Sequence, residues 1–189
     1  MDDVVLARHG ESETSARRVV GGDAPLTGVG QEQARNLGRG LAPFPVDVCL
    51  TSGALRAKET AAIALAGRDV PCEVVGDLGD IDFGVFEGGS LEEYRAWIAA
   101  HPPDEAPPGG ESRVATLRRF VRAYRTVLAR PEPHVLVVAH GLMLSALTDE
   151  RPQPTVAGVA YGSSIRLTHD ELETQVARLE RWCEAPSWR

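Results

Sequence analysis

Two hydrophobic patterns alternate along the chain. Short strand-like stretches occupy residues 4–7, 46–51, 72–75, 135–139 and 163–167, of which 4–7 and 135–139 are unbroken apolar runs, and each predicts a strand. Between them apolar residues return at helical spacing. Gln31, Ala34, Leu37 and Leu41 form one such series, and Leu91, Tyr94 and Trp97 another. The longest stripe is Val114, Leu117, Val121, Tyr124 and Leu128. Residues 142–148 predict a further helix. Thr27, Ser52 and Ser112 stand where helix N-caps belong, and Gly67 stands at a helix end. Residues 12–22 read as a loop or a short turn of helix. Residues 176–182 fit either a strand or a helix.

Strands alternating with helices predict an α/β fold. The expected form is a three-layer α/β/α sandwich with a mainly parallel sheet and helices on both faces. The stretch "HPPDEAPPGGES" is rich in helix breakers, but a strand pattern resumes after it. It therefore reads as a surface excursion within one domain spanning residues 1–189. Residues 84–112 are expected to form a lid over a site, with Trp97 and His101 in its outer wall. No internal repeat is present.

Composition narrows the classes. The chain has 189 residues, 43% of them hydrophobic and 25% charged, as in ordinary globular proteins. Its net charge of −7 argues against general nucleic-acid binding. No apolar run approaches the roughly 20 residues of a membrane span, so no membrane partner is expected. Cys49, Cys72 and Cys183 are widely spaced and form no CxxC pair. They fit thiols in a reducing compartment, and a cytoplasmic location is expected. Monomer and homodimer are both compatible with the composition.

The chemistry lies where apolar runs end. "LARHGES" closes the first run with Arg8, His9 and Gly10, and "VVAHGLM" closes a later one with His140 and Gly141. In open α/β sheets the working face lies beyond the carboxyl ends of the strands. Arg56 follows the second run by a few residues and is expected on the same rim. Two arginines and two histidines there would make an anion site, because guanidinium groups match phosphate oxygens with paired hydrogen bonds. A metal site of His9, His140 and Asp80 is disfavoured, since the arginines would repel a cation. No metal or cofactor is implied.

Arg8-His9-Gly10 and five further segments in order resemble the histidine phosphatase superfamily, the phosphoglycerate mutase-like proteins. They are Arg8-His9-Gly10, "DAPLTGVGQEQA", "TSGALRAKETA", "LGDIDFGVFEG" and "GGES" with "VVAHG" after it. The resemblance covers almost the whole chain. It implies that His9 is a nucleophile forming a phosphohistidine. It implies that Arg8, Arg56 and His140 bind the phosphoryl group, with Gly141 beside them. An acidic residue would protonate the leaving alkoxide. Asp80 holds that position, where the family usually has glutamate, and Asp82 and Glu11 are its competitors. Ser15 stands where the family often has a phosphate-contacting asparagine, and Phe86 where it has tryptophan. Arg18, Gly22, Phe86 and Ser163 are expected to line the substrate pocket.

The activity so implied is metal-independent hydrolysis of a small phosphorylated metabolite. The alternatives are a cofactor-dependent phosphoglycerate mutase on the same site and a non-catalytic phospho-ligand binder. Sugar phosphates, phosphoglycerates, cobalamin nucleotide-loop precursors and phosphoproteins all remain open as substrates. The short chain leans toward the α-ribazole-phosphatase or broad-specificity branch.

Overall fold

The computed structural model describes residues 1–149, 152 and 159–188. Its strands are β1 (Asp3–Arg8), β2 (Val48–Thr51), β3 (Cys72–Val74), β4 (His134–Ala139) and β5 (Ser164–Thr168). They form one sheet in the order β3-β2-β4-β1-β5. β1, β2, β3 and β4 run parallel, and β5 pairs antiparallel with β1. The helices are α1 (Glu13–Ala16), α2 (Gly28–Leu41), α3 (Leu55–Ala64), α4 (Leu91–Ala100), α5 (Arg113–Leu128), α6 (Gly141–Thr148) and α7 (His169–Glu184).

Successive strand residues point to opposite faces, so each central strand feeds two cores. Val5 and Ala7 of β1 and Leu136 and Val138 of β4 pack with Leu37 and Leu41 of α2 and Ala57 and Ala61 of α3. Val4, Leu6, Val135 and Val137 face the other way, toward Leu117 and Tyr124 of α5, Leu147 of α6 and Val176 of α7. The result is the expected α/β/α sandwich, with β1 and β4 side at its centre. Their pairing aligns Arg8 with Ala139, so both carry the chain to the same rim.

Local signals explain most element boundaries. The Thr27 hydroxyl accepts from the Gly30 amide at 3.0 Å, and the Ser112 hydroxyl accepts from the Ala115 amide at 3.1 Å. Residues 176–182 belong to α7. The deciding stripe of Leu172, Val176, Leu179 and Cys183 begins before that window, which is why periodicity within the window alone was ambiguous. The expected cap of α3 is also corrected. Ala54 occupies its N-cap, and the Asp23 carboxylate accepts from the Leu55 amide at 2.6 Å instead. Ser52 is used elsewhere. Among the described residues no helix is long and apolar enough to cross a membrane.

Candidate active site

His9 follows the last residue of β1, and His140 follows the last residue of β4. Their ring centroids are 5.2 Å apart, and both side chains are buried. Arg56, in the first turn of α3, lies between them. Its Nε donates to His9 Nε2 at 3.3 Å, and its Nη2 lies 3.4 Å from His140 Nδ1. The same Nη2 reaches Asp80 Oδ2 at 3.3 Å, and Nη1 donates to the Gly22 carbonyl at 2.9 Å. Arg56 is thus held by three acceptors from three segments, His9 Nε2, the Asp80 carboxylate and the Gly22 carbonyl, with His140 beside it. The Thr60 hydroxyl, one helical turn on, accepts from the Gly10 amide at 3.0 Å and ties α3 to the loop after β1.

The histidines are held differently. His9 Nδ1 lies 2.7 Å from the Gly10 carbonyl, which can only accept. Nδ1 therefore carries the proton, and Nε2 keeps a bare lone pair. His140 Nε2 shares a hydrogen bond of 2.9 Å with the Ser52 hydroxyl, and its Nδ1 lies 3.4 Å from Asp80 Oδ2; the ring lies behind the residues that line the pocket. Burial, then His140 and Arg56, push His9 well below the ordinary histidine value, against the pull of the Gly10 carbonyl. Burial first, then the Arg56 and Arg8 charges, push His140 down to about 4, against Asp80. Both rings are neutral near pH 7. Burial raises Asp80, but attraction to His140, Arg56 and His9 outweighs it and holds the carboxyl below the usual aspartate value.

Arg8 completes the floor. Its guanidinium stacks on the Tyr161 ring, 3.6 Å from the centroid, and donates to the Val159 carbonyl. Its buried Nε has no hydrogen-bond partner among the described residues, leaving a donor for a ligand oxygen. The two glycines permit close packing. A Cβ on Gly141 would lie 3.0 Å from the Arg8 guanidinium, and one on Gly10 would lie 2.4 Å from the Gly30 carbonyl. Gly141 makes room for Arg8, and Gly10 lets the post-β1 loop pack on α2.

A pocket of about 490 Å³ opens above this floor. Among the residues named from sequence, Arg8, His9, Arg56, Asp80, Ser15, Arg18 and Gly141 line it. Ser15 shares a hydrogen bond with the Ser12 hydroxyl at 2.8 Å, and Arg18 pairs with Glu92. Gly22 contributes only its carbonyl to Arg56. Three expectations are corrected. Phe86 packs on Tyr94 and Trp97, because the apolar interior under α4 takes its ring. The Ser163 hydroxyl turns back to the Ala160 carbonyl at 2.7 Å. Trp97 and His101 stack on each other, centroids 4.1 Å apart, away from the pocket lining. Of the competing carboxylates, Asp82 caps its own turn by accepting from the Gly84 amide at 2.9 Å. Glu11 lines the pocket but accepts from the Thr27 hydroxyl at 2.8 Å.

Several residues went unnoticed in the sequence. Arg119 of α5 donates to the carbonyls of Asp77, Gly79 and Asp80 at 3.0, 2.8 and 2.8 Å. It is itself clamped by Glu111 at 2.7 Å, so the "GES" glutamate positions the Asp80 loop through Arg119. Tyr161 precedes β5, and the antiparallel pairing of Ser164 with Ala7 brings that start to the rim. A wholly parallel reading hides this. Tyr94, Arg95 and Arg113 form much of the wall opposite. Among the described residues no group of three or more His, Cys, Asp and Glu is placed to hold a metal ion.

Comparison with known proteins finds relatives over most of the chain. The family described as "Histidine phosphatase superfamily (branch 1)" matches residues 4–183. A 2,3-bisphosphoglycerate-dependent phosphoglycerate mutase of Methylobacterium sp. (strain 4-46) is 34% identical, over 88% of this chain and 89% of its own. An adenosylcobalamin/alpha-ribazole phosphatase of Salmonella typhimurium is 34% identical, over 75% of each chain. The crystal structure of the alpha-ribazole phosphatase from Shigella flexneri superposes with a TM-score of 0.74 at 28% identity. It covers 87% of this chain and 89% of that one.

Proposed function

The chain belongs to the histidine phosphatase superfamily, branch 1, and on that premise we propose that it is a metal-independent phosphomonoesterase working through a phosphohistidine on His9. The observation that carries this reading is the Gly10 carbonyl at 2.7 Å from His9 Nδ1, which leaves Nε2 unprotonated inside a cationic pocket. An incoming phosphoryl dianion takes the N–H groups of Arg56 and Arg8 as its partners. Nε2, released from Arg56, attacks phosphorus, and the bond to the ester oxygen breaks. Phosphoryl transfer needs chiefly positioning and charge complementarity, which the two arginines and His140 provide.

The departing alkoxide needs a proton, and Asp80 is placed to give it. Its carboxyl is held below the usual aspartate value by His140, Arg56 and His9 against the effect of burial, so it is ionised near pH 7. A bound dianion beside it adds like charge and raises its affinity for a proton. Water then attacks the phosphohistidine, Asp80 takes one water proton, and inorganic phosphate leaves. Residues 84–112 act in this reading as the specificity excursion, since Leu91, Tyr94 and Arg95 of α4 line the pocket.

The test is direct. His9→Ala is expected to abolish release of phosphate from p-nitrophenyl phosphate and to lose an acid-labile, base-stable phosphoenzyme trapped by rapid quench. Wild-type turnover is expected to survive EDTA. Loss of activity on chelation, or a phosphoenzyme in His9→Ala, overturns the mechanism. Phosphotransfer of the phosphoglycerate mutase type is a second reading, supported by the Methylobacterium relative. Isomerisation of 3-phosphoglycerate faster than its hydrolysis would establish it. Binding of phosphate esters without turnover would establish a non-catalytic role.

A further inference from the structure

Arg8 is the floor cation that no ion pair holds among the described residues; Asp80 pairs with Arg56 and lies beside His140 instead. The Arg8 side chain donates to the Val159 carbonyl, and its buried Nε has no acceptor among the described residues. Fixing so long a side chain costs rotamer entropy that one hydrogen bond barely offsets. Another contact has to hold the plane of the guanidinium.

The turn before β5 is built around Arg8. The Gly162 amide donates to the carbonyls of both Arg8 and His9 at 3.2 Å, and the Ser163 carbonyl accepts from the Arg8 amide at 2.9 Å. Gly162 has a φ of +71°, and a Cβ there would lie 2.8 Å from Gln33 Cβ, so the turn requires glycine. A backbone locked in this way delivers the Tyr161 ring to Arg8, 3.6 Å from the guanidinium carbon to the ring centroid. The same ring lies 5.7 Å from that of His9. Gly141 leaves the guanidinium little slack, since even a Cβ there would lie 3.0 Å from it. Tyr161 belongs to neither apolar core and lines the pocket half-buried. Its ring is placed to touch Arg8 rather than to bury apolar area.

We propose that Tyr161 is a positioning residue for phosphoryl binding. It holds the Arg8 guanidinium flat against its ring face, so that the free Nε–H meets a phosphoryl oxygen without reorienting. This rests on the phosphomonoesterase reading of the floor. Tyr161 acts through Arg8 and not on the reacting atoms. Preorganisation of a contact made in ground state and transition state alike appears in KM.

The test uses p-nitrophenyl phosphate as substrate and inorganic phosphate as inhibitor. Tyr161→Leu is expected to raise KM and the inhibition constant of phosphate together, each by about five- to thirtyfold, the range for a partly desolvated cation–π contact. Its kcat should stay within about twofold of wild type. Tyr161→Phe keeps the ring face and is expected to restore both constants. In an Arg8→Lys background, where the planar stack is gone, Tyr161→Leu is expected to cost less than about threefold. A reading that needs no Tyr161 variant is the Arg8 Nε–Hε proton resonance of wild type. It should lie upfield while stacked on the ring and move downfield as inorganic phosphate binds. The full loss persisting in Arg8→Lys, no rescue by Tyr161→Phe, or an Arg8 resonance without that upfield position overturns the positioning role alone. Wild type that neither hydrolyses the ester nor binds phosphate overturns the phosphomonoesterase reading with it.

Discussion

His9 and His140 are mounted alike and wired oppositely. Each follows a buried parallel strand, precedes a glycine and reaches the same rim. The difference lies in what holds one ring nitrogen and what that leaves on the other. A backbone carbonyl, which can only accept, holds His9 at Nδ1 and leaves a lone pair on Nε2. A hydroxyl, which can donate, holds His140 at Nε2 and leaves Nδ1 facing the Asp80 carboxylate. Arg56 Nη2, also 3.4 Å from that Nδ1, already has the Asp80 carboxylate as its acceptor, and an ionised carboxylate favours a proton on Nδ1, so His140 presents an N–H where His9 presents a lone pair. On the proposed mechanism one ring attacks phosphorus and the other donates to its oxygens, and their different second hydrogen bonds set the two roles apart.

Removing each ring in turn breaks the comparison most severely. His9→Ala is expected to cut turnover by roughly 10⁴-fold or more, since no covalent step remains. His140→Ala is expected to cost about 10²–10³-fold, the range for one lost oxyanion donor, while a phosphoenzyme still forms. Rapid-quench phosphoenzyme yields separate the two. Equal losses, with no phosphoenzyme in either variant, would make His140 as indispensable as His9 and erase the asymmetry.

Asp80 sharpens the contrast next, because it lies beside His140 and is the proposed donor to the leaving group. Asp80→Asn is expected to slow alkyl phosphates by about 10²–10⁴-fold and to spare p-nitrophenyl phosphate, whose leaving group needs no proton. Comparable losses on both substrates would reduce Asp80 to a partner of Arg56 and His140.

The sequence carried the two mounts and hid the wiring. Apolar runs ending in Arg-His-Gly and Ala-His-Gly located the rim, since strand burial and strand direction depend on local pattern. Arg56 was legible for the same reason, lying just past a strand end. Ser52 was misread as a helix cap because its type suits that role. Its actual partner is 88 positions away, a separation no local pattern encodes. Arg119 and Tyr161 were invisible likewise. Arg119 reads as one basic residue among many on α5, and Tyr161 reaches Arg8 only because β5 runs antiparallel.

Acid pH tests the shared property of the pair, their neutrality. His140 is held at about 4 in the folded protein, against an ordinary 6.5. Between those values the unfolded chain binds a proton that the folded chain refuses, so stability falls as pH falls through that window. At about 1.4 kcal/mol per unit, His140 alone accounts for a loss of about 3 kcal/mol, and His9, shifted the same way, adds to it. Urea midpoints measured from pH 7 to pH 4 should drop steeply in wild type and less in His140→Gln. A flat wild-type profile would mean the rings accept protons freely and that the site is not preset for neutral histidines.

The smallest expected effect isolates the wiring itself. Ser52→Ala keeps both rings and the floor arginines but removes the hydroxyl that donates to His140 Nε2. The imidazole is then free to move its proton to Nε2, and Nδ1 loses the N–H that serves a phosphoryl oxygen. One net hydrogen bond of this kind is worth about 1 kcal/mol, so kcat should fall by about five- to tenfold with KM nearly unchanged. Ser52→Thr, which retains the hydroxyl, should restore most of it. Nitrogen chemical shifts of the His140 ring provide the decisive readout, with Nδ1 protonated in wild type and Ser52→Thr, and the proton redistributed in Ser52→Ala. If Ser52→Ala loses no activity and Nδ1 stays protonated, Asp80 alone fixes the tautomer, and the opposite wiring of the two histidines belongs to the carboxylate rather than to the serine.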